Sequence, residues 1–132
     1  MPEFAPGQTT TVRRLVTAED IARFAELSGD KGRHHIAPDP TGRVMAHGLL
    51  TATLPTEVGG RMNFMAREMR FEFVNAVYAG DELECVGIIE SAVKKPLSWR
   101  VTFRFEIRNQ EGQVVLRGTS SGVILKPGPE TR

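Results

Sequence analysis

All three histidines of the chain, His34, His35 and His47, lie between positions 34 and 47, and Asp30 and Asp39 share that window. Histidine changes charge near neutral pH, and a carboxylate beside it complements it in moving protons. Asp30 and His35 are separated by a short stretch containing Gly32, so a loop there can bend both side chains toward one point. Spacing alone leaves a plainer alternative, in which these are surface loop residues with a capping histidine. By residue type, His34, His35, His47 and Asp39 also match a metal-ligand set. Adjacent histidine side chains tend to diverge, however, and His47 is accounted for by the start of a helix, so no metal is expected. Glu57 is a further carboxylate, nine or ten residues beyond the His47-Gly48 pair.

The elements that must position these groups follow from periodicity and breakers. Residues 1–7 hold two prolines and a glycine and read as a loose tail. Residues 8–16, rich in threonine and valine, read as a strand. Thr17 followed by Glu19 and Asp20 is a helix N-cap signal, and Ile21, Phe24, Ala25 and Ser28 recur at helical spacing up to Gly29. A helix over 18–28 therefore leads into the loop 29–43. The uncharged run 44–53 reads as a buried helix that ends or kinks near Pro55, with Gly59-Gly60 as a stop if it continues. Strands follow over 63–73, 83–93, 98–108 and 113–125, with turns at Ala79-Gly80-Asp81, Lys94-Lys95-Pro96 and Asn109–Gly112. In the third of these, Trp99, Val101, Phe103, Phe105 and Ile107 alternate with polar residues. Residues 126–132 read as a second loose tail.

This order gives an α+β domain, an antiparallel meander curled around a central helix, with an open sheet edge that invites a second copy. At 132 residues, with 40% hydrophobic and 25% charged residues, the chain suits one soluble domain with its core at about 8–126. A net charge of +1 gives no general electrostatic case for nucleic acid. The aromatics Phe71, Phe73, Trp99, Phe103 and Phe105 fit a sheet core better than base stacking. There is no signal-peptide layout and no run of membrane-spanning length, so a cytoplasmic location without membrane attachment is expected. The lone Cys85 lies in a strand-like run and is expected to be a buried structural thiol.

Several of these residues also carry a family resemblance. Gly29-Asp30-Lys31-Gly32-Arg33-His34-His35 resembles the Gly-Asp-x-Asn-Pro-x-His motif of the MaoC-like (R)-specific enoyl-thioester hydratases. Val44-Met45-Ala46-His47-Gly48 resembles the hydrophobic–Ala-His-Gly sequence that opens their central helix, and Val77–Asp81 resembles their Val-x-x-Gly-Asp turn. The similarity spans roughly residues 8–126. It implies a hotdog fold, a homodimer or higher homo-oligomer, and reversible hydration of a 2-enoyl-CoA or acyl-carrier-protein thioester to the (R)-3-hydroxyacyl thioester. No cofactor beyond the thioester substrate is implied. Asp30 and His35 match the catalytic pair, and the Gly48 amide matches the donor to the thioester oxygen. His47, Thr56, Arg33 and His34 are the further candidates for contact with substrate. Gly32 and Arg33 stand where the family has Asn and Pro, and Arg33 adds a permanent charge suited to an acidic group or a phosphate. Arg61, Arg67 and Arg70 are candidates for CoA phosphates, or else exposed strand residues. Two other functions remain open at this stage: a hotdog thioesterase using Glu57, and a non-catalytic acyl-thioester-binding module.

Overall fold

The computed structural model describes residues 3–126. Its strands are β1 (Thr9–Leu15), β2 (Phe64–Phe73), β3 (Glu82–Lys94), β4 (Ser98–Arg108) and β5 (Val114–Leu125). Its helices are α1 (Ala18–Ser28), α2 (Arg33–Ile36), α3 (Gly48–Thr51) and α4 (Thr53–Arg61). The alternation in β4 is realised in full. Trp99, Val101, Phe103, Phe105 and Ile107 are buried, and their neighbours are not. Leu83, Cys85 and Ile89 of β3 and Leu116 and Ile124 of β5 join them in one core. Burial pushes the Cys85 thiol up to about 12, which leaves it inert, as a structural thiol should be.

The five strands form one antiparallel sheet in the order β1-β3-β4-β5-β2. Strands β3, β4 and β5 are successive hairpins. The expected meander fails at β2, which pairs with β5 and not with β3. The turn at 79–81 therefore does not close a hairpin; the chain from β2 crosses to the other side of the sheet. What carries it across is the segment 74–79. It leaves β5 after Val74 donates to the Val115 carbonyl, and then pairs with residues 44–46.

Helix α1 spans the expected residues. Thr17 and Asp20 form a reciprocal capping box, and Gly29 ends the helix in the left-handed region at φ 77°. The central helix differs from expectation. Residues 44–47 are extended, helix begins only at Gly48, and it breaks at Ala52 before resuming to Arg61. The restart places Pro55 in the first turn of α4, where a missing amide hydrogen costs no helical bond. Gly59 and Gly60 do not stop α4. Gly59 packs against the Phe64 ring, and the left-handed residue is Asn63. Leu54 and Val58 face the sheet fully buried, whereas Leu49 is exposed, so the helix is enclosed on the sheet side only. The sheet curls around this helix, which is the hotdog architecture.

The segment before β1 is docked where a loose tail was expected. Gly7 donates to the Ile89 carbonyl, and Phe4 meets Trp99 edge to face. At the other end, Lys126 donates to the Leu97 carbonyl. The rest of the expected tails, 1–2 and 127–132, lies outside the described residues. Among the described residues no helix is long and apolar enough to cross a membrane.

Strand β2 lies so close to β5 that two glycines of β5 are required. A Cβ at Gly118 would run into the Arg70 carbonyl, and one at Gly122 into the Met65 carbonyl. These are main-chain atoms and cannot swing aside. Gly122→Ala is expected to destabilise the fold by about 1–3 kcal/mol or more, read by chemical denaturation. A variant as stable as the parent would show that β2 does not approach β5 this closely.

Candidate active site

The loop 29–43 is not irregular throughout. Residues 33–36 form one helical turn, α2, too short to have declared itself by periodicity. That turn sets the direction of His35, which points inward and is buried. Its Nδ1 lies 2.8 Å from the Met45 carbonyl oxygen. A carbonyl only accepts, so Nδ1 carries the hydrogen and Nε2 of the neutral ring carries the lone pair. Nε2 faces the Asp30 carboxylate at 3.6 Å. The two groups are a little too far apart for a direct hydrogen bond and well placed to share a water molecule. Asp30 is more than half exposed, and its Oδ1 accepts from the Gly32 amide. The pair thus has one buried member and one open to solvent.

His47 supports this pair from beneath. It is buried and stacks on His35 with ring centroids 3.7 Å apart and planes 18° from parallel. Its Nε2 donates to the main-chain carbonyl of Asp30 at 2.8 Å. Its Nδ1 is buried and has no protein partner. The other face of His47 meets Phe24. Asp30, His35 and His47 bring donor atoms within 4.8 Å of one another. Stacking does not suit them to one ion, because a metal lies in the plane of each imidazole that binds it, and stacked planes do not meet there. Asp39 is not part of this cluster. It accepts from Thr41 and Arg43 in its own turn. The His34 and His35 rings do not diverge as adjacent histidines were expected to; their centroids are 3.8 Å apart.

Asp30, His34, His35, His47 and Gly48 line a cavity of about 620 Å³. Gly48 begins α3, so its amide has no partner within the helix. A Cβ at position 48 would fall 2.8 Å from the Phe73 ring, which explains the glycine. The remaining walls come from residues not expected at the site: Phe24, Leu49, Phe73, Val74, Asn75 and Val77 among them. The available signal for the stretch 73–77 was Asn75, a polar residue within the otherwise apolar run Phe73 to Val77.

Three sequence candidates fall elsewhere. Thr56 is exposed, outside the cavity, and its hydroxyl donates to the Ala52 carbonyl of its own helix. Arg33 is exposed and lines a neighbouring crevice. Glu57 lies in the middle of α4, not its last turn, and outside the cavity; Arg14 and Arg61 each hold its carboxylate at 2.8 Å. Glu57 is thus committed to two guanidinium groups and is not among the residues that line the cavity of Asp30 and His35. Arg61 is committed to Glu57 and the Thr11 carbonyl, while Arg67 and Arg70 are exposed on β2.

No family model matches the chain, and no curated protein matches it in sequence. Solved structures do match in fold. An R-hydratase from Pseudomonas aeruginosa superposes with a TM-score of 0.82 at 20% identity, covering 98% of this chain and 94% of that one. A MaoC-like dehydratase from Rhodospirillum rubrum gives 0.78 at 22% identity, covering 96% of each. A hypothetical thioesterase from Streptococcus pneumoniae gives 0.61 at 16%, covering 94% of this chain and 82% of that one. At these identities the likeness establishes the hotdog fold, and the fold alone does not select the reaction.

The hydrogen bonds from Arg14 and then Arg61 hold the Glu57 carboxyl below the ordinary glutamate range. A depressed carboxyl stabilises the fold above its unfolded value, and that contribution is lost as pH falls through the folded value. Glu57→Gln is therefore expected to melt below the parent at neutral pH. The gap should be modest, because the pairs are partly exposed, and should close as the medium is acidified. Thermal melts across the acid range test this; a gap independent of pH would show that the ion pairs contribute nothing.

Proposed function

We propose that this chain is a MaoC-like hydratase or dehydratase of acyl thioesters. It would add water reversibly to a 2-enoyl-CoA or acyl-carrier-protein thioester and give the (R)-3-hydroxyacyl thioester. The observation that carries this reading is the facing of the Asp30 carboxylate and His35 Nε2 at 3.6 Å on the wall of an otherwise largely apolar cavity. The R-hydratase and the dehydratase that share the fold favour the same reaction.

Hydration needs a held water, a base and a proton for C2. With Asp30 as carboxylate and His35 neutral, both groups accept, and a water between them donates one hydrogen to each. Its oxygen then attacks C3 while the C2=C3 electron pair shifts toward the thioester, making an enolate-like oxygen. The water proton passes to the pair and is returned to C2, so no net proton is gained or lost. The Gly48 amide, on the same cavity wall, is the donor for the developing oxygen. The apolar walls exclude bulk water and strengthen both effects.

The reading includes a homodimer. Edge strand β2 leaves Met65, Met69 and Phe73 about half exposed, and Phe73 with residues 74–77 also walls the cavity. A second copy against this edge would cover apolar surface and narrow the cavity mouth in one contact. Sedimentation should give the mass of at least two chains; a monomer would overturn this part.

Asp30→Asn and His35→Asn should each lower kcat for hydration of crotonyl-CoA by at least about a hundredfold. The check is loss of enoyl absorbance, with released thiol measured in parallel. Thiol release without hydration by the parent protein would make it a thioesterase. Hydration unaffected by either substitution would remove the pair from catalysis.

A further inference from the structure

Beside the catalytic cavity lies a second crevice of about 390 Å³, lined by Arg33, His34, Ala37, Pro38, Asp39, Pro40, Arg43, Met45 and Tyr78. His34 and Met45 line both spaces, so the two adjoin. The walls are apolar where Ala37, the two prolines and Met45 contribute, and the charged groups are specific in arrangement. The Arg43 guanidinium carbon lies over the Tyr78 ring, 3.8 Å from its centre, and the Arg43 Nε donates to Thr41. The only carboxylate in the crevice, Asp39, is already engaged. It accepts from the Thr41 amide and hydroxyl and from the Arg43 amide, and its second oxygen lies 3.6 Å from the Arg43 guanidinium. Arg33 has no ion-pair partner among the described residues. A free guanidinium, next to an imidazole and at the mouth of an apolar crevice that opens beside the reacting groups, is suited to a carboxylate held as a bidentate pair.

We infer that this crevice selects acyl thioesters whose acyl chain ends in a carboxylate, with Arg33 as the group that recognises it. The inference rests on the thioester reading of the catalytic cavity and adds its substrate class. The carbon chain would pass His34 and Met45 from one space to the other, and the acid would meet Arg33. The same guanidinium would also attract a phosphate of the thioester carrier, so the test must separate acyl carboxylate from carrier phosphate.

Binding of saturated thioesters does so without turnover. The purified full chain is titrated calorimetrically with succinyl-CoA against butyryl-CoA and with glutaryl-CoA against valeryl-CoA. Each pair shares every phosphate and differs in the terminal group. At one chain length or both, the acid should bind at least about tenfold more tightly, and Arg33→Gln should reduce that ratio to about twofold or less. Thioesters of pantetheine, which lack the nucleotide phosphates, should show the same preference. Equal affinity within each pair, no binding of any of them, or a preference that survives Arg33→Gln overturns the inference. So does a loss in Arg33→Gln that is equal for acid and neutral CoA thioesters and absent with pantetheine, because it assigns Arg33 to the carrier phosphate. Failure of the hydratase reading would show instead as absent turnover of crotonyl-CoA, a separate measurement.

Discussion

A run of main-chain hydrogen bonds joins the rigid sheet to the loop that carries Asp30 and His35, and the site depends on it. At the end of β1, Val16 donates to the Asp81 carbonyl and accepts from the Gly80 amide. Residues 77–79 then pair with 44–46, through the Ala46 amide on the Val77 carbonyl and the Ala79 amide on the Val44 carbonyl. Met45 in turn donates to the His34 carbonyl and accepts from His35 Nδ1. Each bond contributes only about 0.5–1.5 kcal/mol net. Breaking one inside a buried stretch leaves an unpaired group, which costs more than the bond supplied, so the run holds or fails as a unit. This explains how a loop with little apolar packing of its own can hold a side chain to a defined orientation.

The two buried histidines use opposite nitrogens for the same purpose. His35 spends Nδ1 on the Met45 carbonyl and keeps Nε2 for the cavity; His47 spends Nε2 on the Asp30 carbonyl and keeps Nδ1. Segment 30–35 is therefore pinned to segment 45–47 by one imidazole from each, besides the main-chain bond from Met45 to His34, and the two rings stack. The Asp30 main chain is fixed while its carboxylate stays open to solvent. The proposed role of Asp30 needs that combination: a fixed position, with water still able to arrive.

How much of this was legible follows from how local each feature is. Helix α1 declared itself because its cap, its period and its glycine stop all lie within thirteen residues of one another. Strand β4 did so because a half-buried strand writes its two faces alternately. The start of the central helix was misplaced because absence of charge marks burial and not conformation. Residues 44–47 are extended because their partners, 77–79, lie some thirty positions away, and no local signal reports that. The pairing of β2 with β5 was hidden for the same reason. At the site, residue types and spacing made Asp30 and His35 candidates, and the family resemblance selected them and added Gly48; the three lie on one loop and the helix that follows it. The walls supplied by Phe24 and 73–77 depend on tertiary packing and were not indicated.

One departure from the hydratase motif, Gly32, bears on a residue at a position the motif leaves open, His34. Position 32 is glycine and position 34 is histidine. A Cβ at 32 would fall 3.1 Å from Cε1 of His34 and 3.3 Å from Oδ1 of Asp30, closer than such contacts ordinarily come. A side chain at 32 would therefore require the exposed His34 ring or the Asp30 carboxylate to give way by a few tenths of an ångström. Without it, the ring lies against His35 and lines both the cavity of Asp30 and His35 and the Arg33 crevice. Both contacts of a Cβ at 32 are with side-chain atoms, so a residue restored there would press on the rim of the cavity and not on the main chain.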